Sequence, residues 1–130
     1  MKKLIFTFFA LLPLICKAQA HLGASLPEIK QLHPDKTFKI DYSNDGTKYA
    51  TAEMPLGTFI YYFDKSGISD LCLQIPTDMV ALNTQVEIYN KKYVVLSETS
   101  WKAYLEGGGM MKINLQYNED YKLYVFYYTH

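Results

Sequence analysis

The chain has 130 residues, 13 lysines and no arginine against 13 acidic residues, and a formal net charge of zero at neutral pH. A nucleic-acid binder carries a basic face, and a bidentate clamp on phosphate or carboxylate normally uses arginine, so this composition argues against both. Its unusual quantity is aromatic: 12 tyrosines, seven phenylalanines and one tryptophan.

Lys2 and Lys3 precede an apolar run from Leu4 to Ile15, with small residues at Ala18 and Ala20. This is the pattern of a secretory signal peptide cut after Ala20. The run contains Pro13 and is shorter than the roughly 20 residues that span a bilayer. A lipoprotein reading through Cys16 meets bulky Ile15 where a small residue is normal. The expectation is an exported chain, periplasmic or secreted, with no stable membrane insertion after cleavage. Residues 21–130 then form a single domain, large enough for one core and too small for two. They carry ten lysines and all 13 acidic residues, a net charge of −3, and one cysteine, Cys72, so no internal disulfide forms.

In chain order, Ser25 with Glu28 three residues later forms a capping box, and Pro27 falls in the first turn, predicting a short helix that Pro34 ends. Leu26, Ile29 and Leu32 share one side of it. Residues 37–43 alternate as a half-buried strand with Phe38, Ile40 and Tyr42 on one face, and Asn44-Asp45-Gly46 is a tight-turn signal. Residues 47–53 are weaker, with small Ala50 and Ala52, and read as an edge or irregular strand. Residues 58–63 place Phe59, Tyr61 and Phe63 on one face and Ile60 and Tyr62 on the other, the pattern of a central strand covered on both sides. After Asp64-Lys65-Ser66-Gly67, residues 68–75 are expected to turn Leu71, Leu73 and Ile75 inward, with Asp70, Cys72 and Gln74 opposite.

Residues 78–93 are the one long helix, with Thr77 as N-cap and a stripe of Met79, Leu82, Val86, Tyr89 and Tyr93. Val94 to Ser97 reads as a strand. From Trp101 to Tyr128, alternation broken at Gly107-Gly108-Gly109 and at Asn118-Glu119-Asp120 predicts three more antiparallel strands. The whole is an α+β fold, an antiparallel sheet of about seven to eight strands with two helices. The order helix, four strands, helix, four strands suggests two similar helix-then-sheet units.

Such units are similar in architecture to those of the β-lactamase inhibitory proteins and the small outer-membrane assembly lipoproteins. Fold analogy of this kind does not carry function. In sequence, Tyr61-Tyr62-Phe63, Cys72, Pro76, Ala81-Leu82-Asn83, Val86-Glu87, Tyr89-Asn90-Lys91-Lys92-Tyr93-Val94 and Trp101-Lys102-Ala103-Tyr104 resemble a group of small exported bacterial proteins built on a domain of unknown function. The resemblance runs over nearly all of residues 21–130 and implies a folded unit without a named activity.

No catalytic constellation is visible. His21 would be the new N-terminus, and its amine and imidazole, with His33 or His130, could chelate copper; no spacing in the sequence supplies that geometry, and a frayed terminus is the simpler reading. Cys72 with His33 is the available thiol and imidazole pair, but a mid-strand thiol beside Asp70 lacks the neighbouring cation that would activate it. Gly107-Gly108-Gly109 joins strand to strand with no Lys-Ser or Lys-Thr after it, which is a hairpin and no phosphate loop. In the last strand, Tyr121, Leu123, Val125 and Tyr127 share one face and Tyr124, Phe126 and Tyr128 the other. Either a helix covers that second face, or an aromatic row is exposed and binds sugar, peptide or protein.

The sequence therefore points to an exported non-enzymatic binding domain whose partner is a protein or small ligand, with Tyr62, Tyr124, Phe126 and Tyr128 as binding candidates and no cofactor, metal or catalytic residue assigned. The alternative is a small secreted hydrolase or metal-dependent enzyme using His21, His33 and Cys72.

Overall fold

The computed structural model describes residues 21–105 and 109–130. The expected signal peptide lies outside the described residues, as do Glu106, Gly107 and Gly108 of the expected glycine turn. Among the described residues, two helices, α1 (Leu26–Leu32) and α2 (Met79–Lys92), accompany eight strands: β1 (Lys39–Tyr42), β2 (Lys48–Met54), β3 (Gly57–Phe63), β4 (Ser69–Pro76), β5 (Val94–Ser97), β6 (Ser100–Tyr104), β7 (Met110–Asn118) and β8 (Leu123–Thr129). The strands form one sheet in the order β1-β2-β3-β4-β8-β7-β6-β5, and each pairing is antiparallel. The chain thus lays down one meander, crosses through α2, and lays down a second whose last strand returns to the middle, where β8 pairs with β4 through Cys72, Leu73 and Gln74.

Local chemistry explains the elements. Ser25 accepts from the Glu28 backbone N–H and donates, through its own N–H and hydroxyl, to the Glu28 carboxylate, so the first turn of α1 is capped reciprocally. The β1–β2 turn closes on Asp45, whose carboxylate accepts from the Ser43 hydroxyl and the Thr47 N–H. Asp64 closes the β3–β4 turn in the same way, accepting from the N–H groups of Ser66 and Ile68. Asp78, one residue later than Thr77, caps α2 by accepting from the Ala81 N–H.

Both helices pack on one face of the sheet. Leu26 and Ile29 of α1 and Leu82 and Tyr89 of α2 share a core with Ala50, Phe59, Tyr61, Cys72, Trp101, Ile113, Phe126 and Tyr128. The helix-facing parity is set by register: Ala50 lies opposite Tyr61, Tyr61 opposite Cys72, Cys72 opposite Tyr128 and Tyr128 opposite Ile113.

Several expectations are corrected. In β4 it is Cys72 and Gln74, both fully buried, that face the helices, while Leu71, Leu73 and Ile75 lie half-buried on the far face. A bulge passes over exposed Asp70, so that Ser69 pairs with Phe63, and the polar end of Gln74 is satisfied within the core. β2 is an interior strand, not an edge. Its Ala50 and Ala52 are buried because small side chains leave room for a helix to approach the sheet. The edge is β1, whose Ile40 and Tyr42 are exposed. In β3, Ile60 and Tyr62 are only half-buried, because no helix of the described residues packs on their side. Leu32 and Met79 were expected on packed helix faces and instead are exposed.

Gly57 begins β3 at φ +146°, and a Cβ there would stand 2.1 Å from the Ile75 carbonyl oxygen and 2.9 Å from Pro76 Cα. Both obstacles are backbone, which cannot rotate away. Gly57→Ala is expected to lower stability by about 2 kcal/mol or more in urea denaturation. Gly46→Ala, at φ +87° with nothing within 4 Å, should cost only about 1 kcal/mol.

Candidate functional site

Three places on the molecule bear chemistry worth weighing. The first is where α2 meets the β4–β8 seam. The side-chain amides of Gln74 and Gln85 pair reciprocally: Gln74 Nε2 donates to Gln85 Oε1 at 2.5 Å, and Gln85 Nε2 donates back to Gln74 Oε1. Gln85 Nε2 also lies 2.6 Å from the Tyr89 hydroxyl and 2.9 Å from that of Tyr128. The two hydroxyls are 2.5 Å apart, and Tyr128 donates to Gln74 Oε1 at 2.6 Å. One assignment uses every hydrogen: Tyr89 donates to Tyr128, Tyr128 to Gln74, and Gln85 to both Gln74 and Tyr89. The second Gln74 N–H reaches the Leu56 carbonyl at 3.4 Å.

None of these groups is charged, and the cluster is closed to solvent. Burial above all, and then its Tyr89 neighbour, pushes the Tyr128 phenol well above its ordinary range, so it does not ionise. The cluster is therefore an anchor, with no proton to exchange at accessible pH. Gln85 stands outside the apolar stripe of Met79, Leu82, Val86, Tyr89 and Tyr93, yet its spacing, three after Leu82 and four before Tyr89, is the signal that puts it on the packed side. Beside it, Trp101 donates to Asn90 Oδ1 at 2.8 Å and tethers the far end of α2 to β6.

The second place brackets α1. His21 and His33, twelve residues apart, meet with their Nε2 atoms 2.8 Å apart and ring centres 5.0 Å apart. His21 is buried, and its ring lies 5.9 Å from that of Tyr61. Burial, and then the neighbouring His33, lowers the His21 imidazole from 6.5 to about 3. The sequence named both histidines but gave no sign that they touch, since the contact depends on how α1 docks on the sheet. His130 is exposed at the end of the chain. Cys72 is fully buried, its thiol is pushed well up by burial, and its polar contact is a weak one to the Leu73 carbonyl at 3.7 Å. A protonated, solvent-excluded thiol is no nucleophile. Among the described residues, no group of three or more His, Cys, Asp or Glu is arranged to hold a metal.

The third place is the sheet face on which, among the described residues, no helix packs. Tyr62 lies between Tyr49 and Leu71, and Leu73 between Ile60 and Tyr127. All six side chains are half-buried, and the Tyr49 and Tyr62 rings are 5.5 Å apart. Burial, followed by the neighbouring Tyr49, Tyr121 and Tyr127, raises the Tyr62 phenol. Around this apolar centre, register places Lys39, Asp41 and Glu53 toward one edge and Lys102, Lys112 and Asn114 toward the other.

The four binding candidates therefore separate. Tyr62 sits on this open face. Phe126 and Tyr128 are in the core beneath α2, at 0% and 2% exposure, so of the two outcomes open for that face it is the covered one that holds, and neither residue is available to a partner. Tyr124 runs beyond the helix and stays exposed, its ring 4.9 Å from that of Tyr117. These two tyrosines, with Met79, Leu82, Lys122 and Leu123, line a cleft of about 240 Å³ at the start of α2. The chain matches no family model, no curated protein and no solved structure.

Two predictions follow from the buried groups. Gln85→Leu leaves Gln74 and Tyr128 short of partners in a dry core and should cost about 2–3 kcal/mol in denaturant unfolding. Adding Gln74→Leu should recover part of that loss, because an amide pair replaced on both sides leaves less unsatisfied. His21 stays neutral in the fold down to about pH 3, whereas in the unfolded chain it takes up a proton near pH 6.5. Its contribution is thus flat above pH 6.5, and stability falls as the pH drops toward 3, by at most about 1.4 kcal/mol per pH unit. Urea titrations at stepped pH should show this slope in the native chain and a shallower one in His21→Gln.

Proposed function

We propose that the chain is an exported, non-enzymatic binding domain that takes a protein partner on the open face of its sheet. The observation that carries this reading is the centre of that face, where Tyr49, Ile60, Tyr62, Leu71, Leu73 and Tyr127 remain half-buried with no helix of the described residues over them. An apolar, aromatic centre inside a rim of lysine, aspartate and glutamate is the anatomy of a protein interface. Eight strands at about 4.8 Å spacing give a surface roughly 34 Å across, a shape that suits a protein better than a small molecule. Of the residues expected from sequence, Tyr62 belongs to this surface, and Tyr124 lines a separate cleft suited to a small apolar ligand.

Two finer readings accompany it. The recurrence of helix and four strands, with the two meanders meeting at β4 and β8, favours two similar helix-then-sheet units, as does the architectural likeness to β-lactamase inhibitory proteins. The signal-like start and the resemblance to small exported bacterial proteins favour a periplasmic or extracellular place of action.

The test is site-specific photo-crosslinking in the envelope and medium of the producing cell. A photoreactive phenylalanine analogue at Ile60 or Leu73 should yield one discrete adduct, and the same residue at Asn83, on the outer side of α2, should yield none. Adducts from Asn83 alone, or none from the open face in chains that retain their native circular dichroism, would overturn the assignment.

A further inference from the structure

His21 and His33 come together from the two sides of α1. His21 is a non-glycine residue in the left-handed backbone region, at φ 47°, a conformation uncommon enough to require external support. That support is present. The Ala24 N–H donates to the His21 carbonyl at 3.2 Å, and the Gly23 N–H and the Ala24 carbonyl each bond the Ser69 backbone at 2.8 Å. From the other end of α1, His33 closes the helix, its N–H donating to the carbonyls of Ile29 and Lys30 at 3.2 Å. Two backbone-braced segments thus present two imidazole nitrogens to each other. Ser69, whose backbone makes those two bonds, has a buried hydroxyl without a hydrogen-bond partner among the described residues.

We propose that His21 and His33 form a two-imidazole site for a divalent first-row metal ion, copper(II) foremost. Imidazole nitrogen is a donor for copper, nickel and zinc, and copper(II) stands highest in affinity among the divalent first-row ions. Bonds of 2.0–2.1 Å at a right angle place two nitrogens about 2.9 Å apart, while a tetrahedral centre spreads them to about 3.4 Å. At 2.8 Å the two Nε2 atoms share a hydrogen bond, which either metal arrangement must open, so it is affinity for imidazole and not spacing that puts copper(II) first. On binding, the ring that carries its proton on Nε2 transfers it to Nδ1, and both Nε2 lone pairs turn to the metal. Two metal–nitrogen bonds replace two metal–water bonds, with no proton released and no change of oxidation state. His33 is partly exposed, which leaves an open side where water completes the coordination.

The experiment uses the full chain titrated separately with copper(II), nickel(II) and zinc(II) salts, read by electron paramagnetic resonance for copper and by thermal unfolding for all three. The expected result is one copper bound with hyperfine structure from two imidazole nitrogens, and a rise in Tm that is largest for copper. His21→Ala and His33→Gln should each weaken copper binding by about 10- to 100-fold or more, since even a group behind a ligand costs that much; His130→Ala should leave it unchanged. Because His21 is buried, His33→Gln, checked for native circular dichroism, is the deciding variant. Copper binding of undiminished affinity in that variant overturns the site, as does a spectrum without imidazole nitrogen or a preference for zinc.

Discussion

The paired amides of Gln74 and Gln85, with the hydroxyls of Tyr89 and Tyr128 closed around them, hold the molecule to one arrangement. They sit where α2 crosses the seam between β4 and β8, the junction through which the two meanders become one sheet. Hydrophobic contact alone would tolerate sliding of the helix along this surface, because dispersion and burial have little direction. A reciprocal amide pair does not. Moving α2 by a fraction of a turn would strip four polar groups of partners in a dry interior, at about 1–3 kcal/mol each. The network thus specifies register as much as it adds stability, and the aromatic packing of Tyr89 against Trp101, Phe126 and Tyr128 is built outward from it.

One consequence concerns the side of the sheet that carries no helix. With both helices committed to the same face, each strand keeps a second face that must be satisfied by water, by neighbours or by another molecule. At the edges this is achieved with charge, as at Lys39, Asp41, Lys102 and Lys112. In the middle it is not: Ile60, Tyr62, Leu71, Leu73 and Tyr127 shelter one another and remain half-buried. Sheets open on one side normally alternate apolar and polar residues, and the departure from that rule at the centre of this one carries the functional reading. The His21–His33 contact lies on the helix side, at the other end of the molecule's chemistry, and depends on α1 rather than on the open face.

How far the structure could be read from the chain differed by element. Turns and caps were legible because their chemistry is local: Ser25 with Glu28, Asp45 before Gly46 and Asp64 before Gly67 act within a few residues of themselves. Strand existence and order along the chain were legible too, since alternation is a property of a single segment. Facing was not. In β4, Leu71, Leu73 and Ile75 are the more hydrophobic set and were expected inside, yet Cys72 and Gln74 hold the interior, because Gln74 finds its partner eleven residues away on α2 and the apolar set finds shelter on the open face. The same lack of locality left the covering of Phe126 and Tyr128 as one of two alternatives, since it needs α2 above β8, and hid the contact of His21 with His33.

By itself the sequence determined the class of fold, the succession of helix, four strands, helix and four strands, and the positions of the tight turns, because each rests on periodicity or on hydrogen bonds that close within one turn of chain. The tertiary structure alone decided which strand lies in the centre, which face of each strand the helices cover, and which polar side chains are buried as partners. Those outcomes depend on pairings between residues far apart in sequence, and a glutamine reads as solvent-facing until its complement is brought against it.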